Sequence, residues 1–219
     1  MPGDSKHYPR DVLAWHKKSL SPKYCEELMR ISDARKTDCA ELAELVDLAG
    51  EGLPYYHWQQ IAEPGQDPWE IGRERATRET GSFSYRNGVV AEVDGKIAGA
   101  LVGYPIADEP EAIETESTPP MWIPLLELES IAAGTWYINT VAVFTEARGL
   151  GVGSKLLQWA EQTAANLGLR GTSLIVSDAN HGARRLYDRL GYEEVASRPM
   201  VKEQWRNDGE NWVLMIREN

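Results

Sequence analysis

The chain has 219 residues, of which 42% are hydrophobic and 26% are charged. These values are typical of globular proteins and exclude a wholly disordered chain. The length suits one ordinary domain with additional segments, or two very small domains. The formal net charge of −11 argues against nucleic acid as a partner, because proteins that bind it through their overall field are basic.

Apolar runs and cysteines give two further expectations. No apolar run approaches the roughly 18 residues needed to cross a bilayer, and the segment 1–10 lacks the apolar core of a signal peptide. We therefore expect a cytoplasmic protein without a membrane partner. Cys25 and Cys39 form neither a metal-type spacing nor a disulfide framework, so no metal is expected.

The N-terminal part of the chain divides into an extension and the start of one domain. Residues 1–27 have no clear hydrophobic period and are interpreted as an N-terminal extension, whereas residues 28–219 form the domain. A short strand is predicted near 28–32. A helix follows, because Asp38 can cap its first turn and Gly50 can end it.

The aromatic segment Leu53–Trp58 separates this helix from a second one. The second helix has strong start signals. Asp67 can cap it, Pro68 suits the first helical position, and Glu70 completes a capping box. Gly81 is predicted to end it.

The hydrophobic period then changes. Residues 87–93 and 96–104 are predicted to be two strands around Asp94–Gly95, and Asp-Gly is among the strongest hairpin signals. The acidic segment 107–120, which ends in two prolines, is predicted to be a loop. Apolar residues resume over 122–128.

The C-terminal half alternates strands and helices. The predicted elements are a strand over 135–144, a helix from the glycine-rich turn 148–153 to Leu167, a strand over 172–177, a helix over 181–190 and a strand over 212–216. This order favours a single α/β domain with a mixed sheet.

The glycine-rich turn lies between a predicted strand and a predicted helix, where unpaired N–H groups and the helix dipole suit a phosphate. The dinucleotide fingerprint G-x-G-x-x-G does not fit, because Gly149, Gly151 and Gly153 span one residue fewer than it needs. A P-loop does not fit either, because it needs Gly-Lys-Ser/Thr where this chain has Gly153-Ser154-Lys155. The pattern R/Q-x-x-G-x-G/A is matched fully from Arg148 to Gly153. A turn that is rich in glycine only for packing is the alternative.

Two flanking segments make the pattern more specific. The strand 137–143 precedes the turn, and residues 180–192 match N-x-x-A-x-x-x-Y-x-x-x-G-[FY]. Over about residues 28–217 the sequence resembles the GNAT-type N-acetyltransferases. The resemblance implies a mixed central sheet of six or seven strands, with helices on both faces and a splay between the fourth and fifth strands.

The resemblance also implies acetyl-coenzyme A as co-substrate. The turn would bind its pyrophosphate, the preceding strand would pair with its pantetheine arm, and Asn180 would contact that arm. Tyr187 would lie near the sulfur as the general acid. The implied cofactor-binding residues are Val141, Ala142, Val143, Arg148, Gly149, Leu150, Gly151, Val152, Gly153, Ser154, Asn180 and Tyr187.

The residues alone leave the role of Tyr187 open. Ala183, Leu186, Tyr187 and Leu190 share one helical face, so Tyr187 could equally be a core residue whose hydroxyl is satisfied. A free tyrosine has a pKa of about 10 and a thiol a pKa of about 8.5, so full proton transfer to a thiolate is uphill in water.

A general base is harder to assign. Some members of the family carry a glutamate on the strand before the turn, but residues 137–140 contain no carboxylate. Glu129 is the favoured candidate, with Glu127 and His57 behind it. The alternative for the two glutamates is a solvated surface position, and for His57 a structural role.

The acceptor side is the least specified. By resemblance, Tyr55, Tyr56, His57 and Trp58 would border the pocket of a small-molecule or peptide amine, although they could instead form a hydrophobic clamp between helices. The implied activity is acetyl transfer to a primary amine by direct attack in a ternary complex. A non-catalytic acyl-coenzyme A sensor on the same fold and a nucleotide-binding enzyme are the alternatives. Homodimers are frequent in the family.

Overall fold

The computed structural model describes residues 29–109 and 113–219. The extension predicted over residues 1–27, including Cys25, lies outside the described residues. The strands of the described residues form one sheet, in the order β1-β2-β3-β4-β5-β7-β6. Its strands are β1 (Met29–Asp33), β2 (Gly88–Val93), β3 (Lys96–Pro105), β4 (Thr135–Val143), β5 (Gly171–Ser177), β6 (Glu193–Pro199) and β7 (Asn211–Glu218).

Helices cover both faces of this sheet. They are α1 (Cys39–Ala49), α2 (Leu53–Ile61), α3 (Pro68–Ala76), α4 (Ile123–Ile131), α5 (Val152–Asn166) and α6 (His181–Arg189). Alternate strand residues point to opposite faces. Leu101 therefore packs with Leu156 of α5, and the neighbouring Ala100 packs with Leu45 of α1. The predicted α/β architecture, a mixed sheet of six or seven strands with helices on both faces, is confirmed, and the sheet has seven strands.

Most local predictions hold. Asp67 caps α3 by accepting a 3.1 Å hydrogen bond from the Trp69 N–H. The Asp94–Gly95 hairpin has φ angles of 53° and 72° at these two residues, which suits a tight turn. Asp38 precedes α1 as predicted, but its carboxylate accepts from the Arg35 N–H at 2.8 Å and does not cap the helix.

Other predictions need correction. The aromatic segment forms helix α2, which starts after Gly52 in a left-handed conformation (φ 87°). Residues 123–131, assigned to no element, form helix α4. Helix α3 ends at Ala76 and not at Gly81, because Thr77 caps it. Strand β6 has no predicted counterpart, because it is a mostly exposed edge strand without an apolar run.

The sheet opens between β4 and β5, the parallel pair among its strands. These strands are paired only from Thr135–Gly171 to Ile138–Leu174. On the other side of β4, Thr140 faces Val102 and Ile138 faces Gly103, so the intervening Asn139 is a bulge residue. A bulge bends a strand and increases its twist. The bulge coincides with the point where β4 leaves β5, and the predicted splay is confirmed.

Candidate active site

Two hollows meet at this splay. The glycine-turn cleft has a volume of about 500 Å³ and is lined by β4, the turn 148–154 and α6. The aromatic cavity, about 730 Å³, lies among α1–α4 and the sheet. Both are lined by Ala49, Asn139, Ile175 and Trp212. Asn139 is exposed in the middle of a central strand because the bulge turns it into this junction.

The glycine turn presents free main-chain donors to the cleft. Gly149 and Gly151 have φ angles of 80° and 84°, and a Cβ at either would meet no atom within 4 Å. Helix α5 begins after Gly151, and its first intrahelical bond runs from the Lys155 N–H to the Gly151 carbonyl at 3.1 Å. The N–H groups of residues 152–154 therefore have no intrahelical acceptor, which is the arrangement that binds an anion.

Tyr187 lines the same cleft from α6. The side chain is buried, and burial raises the pKa of its hydroxyl, with smaller contributions from Tyr192 and Glu51. No residue in the described part of the chain forms a hydrogen bond with that hydroxyl. The ring packs in the hydrophobic core while the residue also lines the cleft, so its catalytic role stays a prediction beside the core-residue alternative.

Asn180 is held by two contacts beside Tyr187. Its Oδ1 accepts from the Ala183 N–H at 3.1 Å and caps α6, while its Nδ2 donates to Glu51 Oε1 at 2.8 Å. The other Glu51 oxygen accepts from Asn207 at 2.6 Å. Glu51 adopts a left-handed conformation (φ 54°) and lines the cleft, although no sequence pattern pointed to it.

The predicted cofactor-binding residues fall together. All of them line the glycine-turn cleft except Leu150, which packs against the hydrophobic core. Their binding roles stay predictions. Ser177 and Arg189 also line the cleft and were not predicted.

Glu129 lines the aromatic cavity from α4. The Tyr104 hydroxyl donates to its Oε1 at 3.1 Å. Burial raises the pKa of the Glu129 carboxyl, and the Tyr104 hydrogen bond offsets part of this rise. Glu127 does not line the cavity and instead forms a 2.7 Å ion pair with Arg198.

His57 lines the aromatic cavity beside Arg75. Arg75 Nη2 lies 3.4 Å from His57 Nε2. Arginine only donates, so Nε2 is the acceptor and the ring proton of the neutral histidine is on Nδ1. Burial, followed by the Arg75 charge, lowers the pKa of His57. A histidine in this state is a poor proton acceptor.

The aromatic residues of α2 divide between two surroundings. Trp58 lines the cavity and is 2% exposed. Tyr55 instead packs on Trp69, with ring centroids 4.9 Å apart, and the Tyr56 hydroxyl donates to Glu203 at 3.3 Å. Each residue advances a helix by about 100°, so four consecutive side chains cannot share one face.

None of the helices within 29–109 and 113–219 is long and apolar enough to span a bilayer. Over the same ranges, no group of three or more histidine, cysteine, aspartate or glutamate side chains could hold a metal ion.

The chain is similar to known acetyltransferases. A curated relative, the uncharacterized N-acetyltransferase MJ1530 of Methanocaldococcus jannaschii, is 31% identical over 130 residues, and the match spans 59% of this chain and 64% of the relative. A crystal structure described as an acetyltransferase is 26% identical and has a TM-score of 0.59, with 86% of this chain and 98% of that chain covered.

A second solved structure shows the same fold. An N-acetyltransferase from Staphylococcus aureus Mu50 is 21% identical and has a TM-score of 0.57, with 86% of this chain and all of that chain covered. The model of the acetyltransferase (GNAT) family matches residues 53–192. This range includes the glycine turn, helix α6, and Asn139 and Ile175, which line both hollows. The chain therefore belongs to the acetyltransferase (GNAT) family.

Proposed function

We propose that this protein transfers an acetyl group from acetyl-coenzyme A to a primary amine, by direct attack in a ternary complex. The observation that carries the proposal is the meeting of two hollows at the strand splay. A donor in one hollow and an amine in the other would reach the same point, lined by Ala49, Asn139, Ile175 and Trp212. Holding both reactants together supplies much of the rate of such a reaction.

The glycine-turn cleft suits acetyl-coenzyme A. Its free N–H groups at 152–154 match a pyrophosphate. Beyond Ile138, the edge of β4 that faces β5 has no strand partner, so residues 139–143 have main-chain groups available there. An arm that contains amide groups can satisfy them. This supports the predicted contact of 141–143 with pantetheine.

Tyr187 suits the leaving thiolate. Its hydroxyl keeps its proton at neutral pH, because burial raises its pKa. It is also without a partner among the described residues, so its proton is available to the cleft. Full transfer to sulfur is uphill, and a hydrogen bond that stabilises the departing thiolate is the favoured role.

Glu129 suits the proton that leaves the amine. A primary amine is mostly protonated at neutral pH and must lose a proton before attack. Glu129 Oε1 accepts from Tyr104, which leaves Oε2 for the ammonium group or a bridging water. The raised pKa makes this carboxylate a better acceptor than a surface glutamate.

Calorimetry and a thiol-release assay test the proposal. We expect acetyl-coenzyme A to bind, nicotinamide and adenine nucleotides to bind much more weakly, and free thiol to appear with at least one member of a broad panel of primary amines. Binding of acetyl-coenzyme A without thiol release across the panel would favour the sensor alternative. Preference for a nucleotide would overturn the assignment of the cleft.

A further inference from the structure

Arg75 is a half-buried cation in the wall of the aromatic cavity. It belongs to the last turn of α3. Its Nη2 donates to His57, while its Nε–H is buried and has no hydrogen-bond partner in the described residues. Buried polar groups are rarely left unpaired, and those that are call for an explanation.

No carboxylate forms an ion pair with Arg75 in the part of the chain that the structure describes. Two other half-buried arginines do have such partners: Arg198 pairs with Glu127 at 2.7 Å, and Arg184 pairs with Glu194 at 2.8 Å. Burial and the nearby Arg78 lower the pKa of Arg75, so both oppose its charge. A half-buried cation without an anion is costly, and a ligand anion would remove that cost.

The other walls of the cavity define the rest of the ligand. Trp58, Phe83 and Trp122 provide apolar surface. Glu129 is the acidic side chain among the cavity's described lining residues, and it comes from α4, whereas Arg75 comes from α3. The cavity thus combines one cation, one carboxyl group and an aromatic wall.

We infer that the acceptor is a primary amine that also carries an anionic group, a carboxylate or a phosphate, which Arg75 binds. The guanidinium is planar, and its Nη–H groups match two oxygens of either group. The amine would then face Glu129 and the strand splay, and an apolar body would contact the aromatic wall. This inference rests on the proposed function, because it names the acceptor class of the same site.

Matched pairs of amines test the inference. Phenylalanine is compared with phenethylamine, and phosphoethanolamine with ethanolamine, by kcat/KM for thiol release. We expect wild type to prefer the anionic member of at least one pair by about tenfold or more. Which pair shows the preference distinguishes a carboxylate from a phosphate. Arg75→Met should abolish the preference, whereas Arg78→Met, on an exposed neighbouring arginine, should keep it.

A binding measurement separates this inference from the proposed function. N-acetylphenylalanine, N-acetylphenethylamine, phosphoethanolamine and ethanolamine are titrated into the full chain by calorimetry, without any need for turnover. Failure of acetyl-coenzyme A to bind would reject the proposed function, but selective binding of an anionic compound that Arg75→Met abolishes would still support the Arg75 site. Equal affinity for anionic and neutral compounds, no binding of any anionic compound, or a preference that survives in Arg75→Met would overturn the inference.

Discussion

The Tyr104 hydroxyl donates a 3.1 Å hydrogen bond to Glu129 Oε1, on the wall of the aromatic cavity. The two residues are 25 positions apart, and they meet because α4 places Glu129 beside Tyr104 near the end of β3. The Tyr104 ring also contacts the Tyr137 ring edge-on, with centroids 5.6 Å apart. The hydrogen bond therefore holds the Glu129 carboxylate near the bulge at Asn139. The proposed role of Glu129, to take a proton from a bound amine, requires such a fixed position.

Replacing this carboxylate should reduce turnover. Glu129→Gln keeps an oxygen for Tyr104 but cannot accept a proton, and we expect kcat to fall about 100-fold. In wild type, kcat/KM should contain an acid-side ionisation above the usual glutamate range, because burial raises the Glu129 pKa. This ionisation should be missing from the variant. Glu127→Gln, on the outer side of α4, is the matched control, and retention of turnover in Glu129→Gln within about threefold would contradict the role.

The same carboxyl predicts a pH dependence of stability. Its pKa is higher in the folded than in the unfolded chain, so the folded state binds the proton more tightly. Its favourable contribution is present below the unfolded pKa and is lost as the pH rises through the folded pKa. Relative to wild type, Glu129→Gln should therefore be more stable at about pH 7.5 than at about pH 4. Denaturant unfolding at both pH values measures this, and a difference that is independent of pH would argue against it.

Removing the Tyr187 hydroxyl should slow the reaction without weakening donor binding. We expect Tyr187→Phe to lower kcat by about 100-fold, with little change in the Kd of acetyl-coenzyme A. Tyr192→Phe is the control, because the Tyr192 hydroxyl accepts from Thr172 at 2.8 Å and its loss should cost about 1 kcal/mol of stability but little turnover. Steady-state kinetics measures kcat, and calorimetry measures the Kd of acetyl-coenzyme A. A kcat of Tyr187→Phe within about threefold of wild type would reject the role.

The anion-binding role of the glycine turn can be tested by substituting two glycines that flank helix α5. Gly151 and Gly168 flank α5 at opposite ends, have φ angles of 84° and 68°, and would each accept a Cβ without contact within 4 Å. Alanine at either position costs about 1–2 kcal/mol of backbone strain. Only Gly151→Ala should weaken acetyl-coenzyme A binding, by about tenfold or more, since the turn must relax away from its anion-binding form. A similar loss of affinity in both variants would indicate a general effect of helix α5.

Gly72 allows a stability prediction at the aromatic cavity. A Cβ on Gly72 would lie 2.5–2.9 Å from three atoms of the buried Trp58 ring. Gly72→Ala must therefore displace this ring, and we expect a loss of about 1–3 kcal/mol in the free energy of unfolding. Gly182→Ala, in helix α6, should be neutral or stabilising, because the atom nearest to its Cβ, Asn180 Oδ1, would be 3.9 Å away. Equal free energies of unfolding for the two variants would show that the ring can move without cost.

Local rules explain why part of the site could be predicted. The glycine turn, the start of α5 and the position of Tyr187 on α6 follow from residues within one or two helical turns of each other. The Asp94–Gly95 hairpin is equally local. In each case a backbone preference or a helical period acts over a few residues, so the sequence alone determines the outcome.

Only the tertiary structure decided the rest. Glu127 and Glu129 are alike in sequence, yet one forms an ion pair with Arg198 and the other is half-buried beside Tyr104, which donates to it. Arg75 is one of several arginines, and its cavity exists only where helices distant in sequence meet. Burial, charge pairing and the splay at Asn139 depend on contacts between segments far apart in the chain, whose packing energies no local pattern encodes.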